Sequence, residues 1–111
     1  MVAADDAARI ERLTRAILDA LAGLEREVHH VSAYTSAIRK DLLSIQKILD
    51  ADDAPSRLRT CYTQLQLNYT SIQQLITPEQ RSRAESSFSA LKTGLATLGH
   101  EVLKLKEIAK G

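Results

Sequence analysis

DAARIERLTRAILDALAGLEREVHHVSAYTSAIRKDLLSIQKILD, residues 6–50, decides the fold. Ile10, Thr14, Ile17, Leu21, Leu24, Val28, Val31, Thr35, Ile38, Leu42, Ile45 and Leu49 follow one another at alternating steps of four and three, without a skip. A strict seven-residue repeat keeps an apolar seam on one side of supercoiling helices, so it is more specific than ordinary amphipathicity. The stretch predicts one helix from Asp6 to Asp50, about 68 Å long at 1.5 Å per residue. Leu13, Leu18, Tyr34 and Ile48 flank the seam and widen it, as in a bundle helix. Leu at several a positions with β-branched residues at most d positions favours four helices around a core, as in two hairpins paired.

Two prolines divide the rest. At Asp52-Asp53-Ala54-Pro55 an aspartate can cap exposed amides, and Pro55 already has helical φ in a first turn. This predicts a helix over 55–76 with the seam Leu58, Tyr62, Leu65, Tyr69, Ile72, Ile76. Thr77-Pro78-Glu79-Gln80 combines a threonine cap, a proline and a glutamine placed to complete a capping box. A third helix is therefore expected over 78–110, with the seam Ala84, Phe88, Leu91, Leu95, Leu98, Val102, Leu105, Ala109. Lys104, Lys106 and Lys110 suit its negative end, and Gly111 can cap it. The fold class is all-α, a single coiled-coil domain over 1–111. Its layout is either an antiparallel coiled-coil hairpin, its second arm interrupted at Pro78, or an elongated three-helix bundle.

Composition agrees. The 111 residues are 44% apolar and 26% charged, with 4% aromatic and few Gly or Pro, which favours helices over sheets. A net charge of +1 offers no electrostatic reason to bind nucleic acid or an anionic membrane. No run approaches the ~18 apolar residues of a membrane-spanning helix, so no integral membrane association is expected. The lone Cys61 has no internal disulfide partner, and the acidic start lacks the pattern of a signal peptide; both point to a cytoplasmic, intracellular location.

The residues that could carry chemistry have simpler readings. His29 and His30 are adjacent and point about 100° apart on a helix, so they cannot share a metal, and His100 lies on another arm. Asp50, Asp52 and Asp53 lack the glycine and glutamate of a calcium loop. Cys61 has no activating histidine. Gly23, Gly94 and Gly99 are isolated within helical patterns rather than forming a phosphate loop. Arg57 with Arg59, and Arg81 with Arg83, are read as local partners of Asp52, Asp53, Glu79 and Glu85. No cofactor, metal or catalytic residue is expected, and the chain reads as a non-enzyme.

Charge is unevenly spread. From Thr60 to Pro78 there is no charged side chain, and between Ser86 and His100 the only one is Lys92. Ser87, Ala90, Gly94 and Thr97 are small enough to admit another backbone. Interface cores are depleted in charge, so Tyr62, Gln66, Leu67, Tyr69 and Gln73, with Ile17, Leu21 and Leu24 of the first seam, are the candidate partner-binding residues. A short two-helix seam buries little area on its own, which argues for assembly. The expected function is a helical interaction module, a scaffold subunit or adaptor that packs with other helical or coiled-coil chains as a homo- or hetero-oligomer. The alternative is an amphipathic binder of lipid or granule surfaces, or a secretion chaperone.

Overall fold

The computed structural model describes residues 2–105 and divides the first seam between two helices, α1 (Ala4–Glu27) and α2 (Ser32–Ile48). The expected single helix over 6–50 is thereby corrected. Val28 leaves the helix at φ −130°, ψ 116°, although its amide still bonds Leu24 O at 2.9 Å. Val28-His29-His30-Val31 combines four residues of low helix propensity, two of them β-branched. Val28 and Val31 are both buried at the turn while the two histidines face water. The turn therefore keeps the seam in phase and lets α2 cover α1 within the same chain.

The remaining helices are α3 (Ala54–Leu75), α4 (Pro78–Arg83) and α5 (Glu85–Lys104). Pro55 lies in the first turn of α3 as expected. Asp53 holds the position before that helix, but its carboxylate accepts from Arg57 Nε at 3.0 Å instead of capping an amide. At Thr77 the capping box is complete: Gln80 N donates to Thr77 Oγ1 at 3.2 Å, and Thr77 N to Gln80 Oε1 at 3.1 Å. The third expected helix bends at Ala84 (φ −105°, ψ 21°), whose small side chain turns inward. This bend lets α4 reach His30 across the end of the molecule while α5 lies along α1. The seam's last position, Ala109, and the expected terminal Lys106, Lys110 and Gly111 lie outside the described residues.

Cross-helix contacts set the topology. Arg39 bonds Glu25, and Gln46 Nε2 donates to Thr14 Oγ1 at 3.1 Å, so α2 runs antiparallel to α1. Arg9 Nη1 reaches Glu101 at 3.3 Å, while Gly94 lies beneath Ile17 and Gly23 against Ser87, which makes α5 antiparallel to α1 as well. Tyr62 covers Gly99 and Tyr69 meets Phe88 with ring centroids 5.6 Å apart, pairing α3 with α5. The result is an up-down-up-down four-helix bundle, 53 × 21 × 19 Å, in which α1 packs most closely on α5 and α2 on α3. This replaces both the two-arm hairpin and the three-helix layout. The four-helix core implied by the heptad chemistry is made inside one chain.

Burial follows the seams. All twelve positions from Ile10 to Leu49 are buried, as are Leu58, Leu65, Tyr69, Ile72 and the third seam from Ala84 to Leu105. Each large aliphatic side chain so enclosed contributes about 1.5–3 kcal/mol. The two buried seam threonines satisfy their hydroxyls locally, Thr14 on Glu11 O at 2.7 Å and Thr35 on Ser32 O at 3.1 Å. Buried Glu101 is flanked by Arg9 and by Lys104 at 3.6 Å. Among the described residues no helix is long and apolar enough to cross a membrane.

Candidate functional site

The uncharged run of the sequence becomes the outer face of α3. Leu65, Tyr69 and Ile72 turn into the core, which leaves Thr60, Thr63, Gln64, Leu67, Thr70 and Gln74 facing water. The adjoining α5 exposes Ser89, Thr93 and Ala96 together with Lys92. The α3 face borders a groove of about 400 Å³ between α2 and α3, lined by Ala37, Lys40, Asp41, Gln64, Leu67 and Asn68.

Its polar groups are largely self-satisfied. The hydroxyls of Thr60, Thr63, Thr70 and Ser71 donate to carbonyls four residues back at 3.2, 3.0, 2.9 and 3.2 Å. Asn68 Nδ2 donates to Gln64 O at 3.0 Å, and Thr97 on α5 does the same to Thr93 O at 3.0 Å. A polar group costs free energy on burial when its hydrogen bond is lost, and these donors keep theirs. Leu67 is 65% exposed in the middle of this surface, a large apolar side chain in water.

The eight candidate partner-binding residues separate. Leu67 and Gln73 are exposed. Tyr62 and Gln66 are half-buried and bonded to each other, the amide donating to the phenol oxygen. Tyr69 is buried, its hydroxyl accepting from Gln73 Nε2 at 3.4 Å, and burial holds its phenol above the usual value. Ile17, Leu21 and Leu24 are fully enclosed in the chain's own core and present no outer surface. The small residues of α5 divide: Ser87 lies against Gly23 and Gly94 is the seat of Ile17, so these two serve α1, while Ala90 and Thr97 are exposed. The groove itself escaped the sequence reading, because Lys40 and Asp41 belong to another helix and meet Gln64, Leu67 and Asn68 only through the register at which α2 packs on α3.

Other titratable groups are accounted for by packing. Half-buried Cys61 has its thiol pushed up by desolvation and then by the charge of Asp41; Asp41 is itself pushed up by desolvation, against the pull of Lys40. Arg57 pairs with Asp53, as local ion pairing predicts, whereas Arg81 lies 5.0 Å from the Phe88 ring centroid and Arg59 donates to Leu105 O at 2.9 Å. His30 Nε2 lies 3.0 Å from Leu75 O and Nδ1 3.3 Å from Gln80 Nε2, so the ring bridges the turn to α3 and α4. No group of three or more His, Cys, Asp or Glu among the described residues could hold a metal ion. Comparison of the chain with protein-family models, with curated proteins and with solved structures finds no match.

Proposed function

We propose that the chain is a non-enzymatic helical interaction module, a structural subunit or adaptor, and that it docks another protein on the outer face of α3. The observation that carries this reading is a helix face without charge, its hydroxyls bonded to their own backbone, centred on exposed Leu67. A solvated bundle helix normally displays Lys, Glu and Arg outward, as α1 does here with Arg12, Arg15 and Asp19. Removing this face of α3 from water strands no charge and breaks few hydrogen bonds, which suits the core of an interface. The amphipathic stripes that would suit a lipid or granule surface are spent on the internal core.

The test is position-specific capture in extracts of the source cell. A photo-reactive benzophenone amino acid in place of Thr70 should form a discrete adduct, lost on Leu67→Asp, while the same probe in place of Ala16 on α1 forms none. Equal labelling from both positions, or an adduct indifferent to Leu67→Asp, overturns the reading. Helical content unchanged by Leu67→Asp serves as the control for folding.

A further inference from the structure

We infer that the occupant of this face is a second copy of the chain, paired about a two-fold axis beside Leu67, with the α2 wall of each groove facing that of the other. The inference rests on the docking reading above and names its partner. Its first support is electrostatic. In a two-fold pair a surface meets its own copy, so a face carrying one sign of charge opposes its own dimer. The α3 face has no charge from Thr60 to Ile76 and carries no such penalty.

The second support is the groove wall. The charges lining it are one cation and one anion, Lys40 and Asp41, side by side on α2, while the α3 wall of Gln64, Leu67 and Asn68 is neutral. A two-fold axis that brings the α2 walls together sets Lys40 of each copy toward Asp41 of the other, twice over. The wall is thus neutral in sum and complementary to itself, as an isologous contact requires. Asp41 is already partly desolvated within its own chain, so a second ammonium group compensates a cost the monomer leaves standing. The third support is apolar: Leu67 borders the groove above Ala37, and pairing removes both copies of it from water together.

Sedimentation equilibrium of the purified full chain across the micromolar range tests this. The expected result is a reversible rise in mass from 12.3 kDa toward twice that value. Lys40→Asp and Asp41→Lys should each weaken self-association by roughly tenfold, since each sets like charges across the axis. An equimolar mixture of the two variants should recover the lost affinity, which a folding defect in either could not do. A chain monomeric at every concentration overturns the inference, as does a mixture no tighter than its components. If self-association is absent while the adduct at position 70 still depends on Leu67, only the self-pairing fails and the docking face stands. If that adduct is absent too, both readings fall.

Discussion

Ile17 rests on the bare backbone of Gly94, so closely that a Cβ added there would lie 2.6 Å from Ile17 Cγ1. Ile17 is fully buried, and Cγ1 is near its own backbone, so the side chain cannot swing clear. Gly94→Ala improves helix propensity by about 1 kcal/mol. Overpacking costs about 1–3 kcal/mol, and the clash should win. Urea denaturation should show a lower midpoint, with net loss of about 1 kcal/mol. Adding Ile17→Ala makes room for the new methyl, so the double variant should be more stable than the two single losses predict, by on the order of 1 kcal/mol. Strict additivity would show that the two residues do not meet.

Gln80 serves both α4 and the 28–31 turn, which makes Thr77 and Gln80 separable by mutation. Its amide and side-chain oxygen close the capping box with Thr77, and its Nε2 lies 3.3 Å from His30 Nδ1. Thr77→Ala should cost about 1 kcal/mol locally and speed hydrogen exchange at the Gln80 amide, while Thr77→Ser retains the protection. Gln80→Ala should in addition speed exchange in the 28–31 turn. If that turn keeps its protection, His30 does not depend on Gln80.

The helical core was legible in the sequence, and the chain reversal was not. Val28 and Val31 show why. The seven-residue phase identifies Ile10 through Leu49 as inward-facing, and each of them is buried. That phase is blind to the break, because a turn whose two valines both point inward occupies the same seam positions as an uninterrupted helix would. The weak helix formers at 28–31 were the available signal, and a long unbroken seam outweighed it. The glycines had the same ambiguity: Gly94 and Gly99 mark close approach in either layout, but only the fold says that Ile17 and Tyr62 make the approach. For the candidate site, the charge-free run located the outer face of α3 because polarity is a property of single residues. The groove depends on the register and packing of α2 against α3, so Ala37, Lys40 and Asp41 could not be matched to Gln64, Leu67 and Asn68 from single-residue properties.

Arg39 and Glu25 tie α2 to α1 through two guanidinium–carboxylate hydrogen bonds, and this raises the Arg39 pKa further above its ordinary value. Both side chains are partly exposed, 39% and 25%, so solvent screens much of the attraction. Glu25→Gln is expected to destabilise by about 0.5–1 kcal/mol, and Arg39→Lys by a similar amount because an ammonium cannot make the two-pronged contact. Added salt should narrow the gap between the parent and Glu25→Gln in urea denaturation. A gap unchanged from low to high salt would mean that packing, rather than charge, supplies the effect.

Cys61 and Asp41 are coupled across the α2–α3 contact, and the sign of that coupling can be worked out. Burial, and then the negative charge of Asp41, disfavour the thiolate and push the thiol up. An acid whose folded pKa is raised holds its proton over a window where the unfolded chain has lost it. Its contribution to stability is therefore present below the ordinary thiol value and lost as pH rises through the folded value. Alkylation, which requires the thiolate, should accordingly be slower in the folded chain than in urea, with a pH midpoint displaced upward. Asp41→Asn removes the second cause but not the first, so it should move that midpoint part of the way back. The same substitution removes a desolvated carboxylate, so the monomer should gain stability at neutral pH. That gain should disappear as pH falls through the range where Asp41 itself is protonated. Measuring the alkylation rate and the urea midpoint against pH for both proteins checks both consequences. An alkylation midpoint identical in parent and variant would show that Asp41 does not act on the thiol.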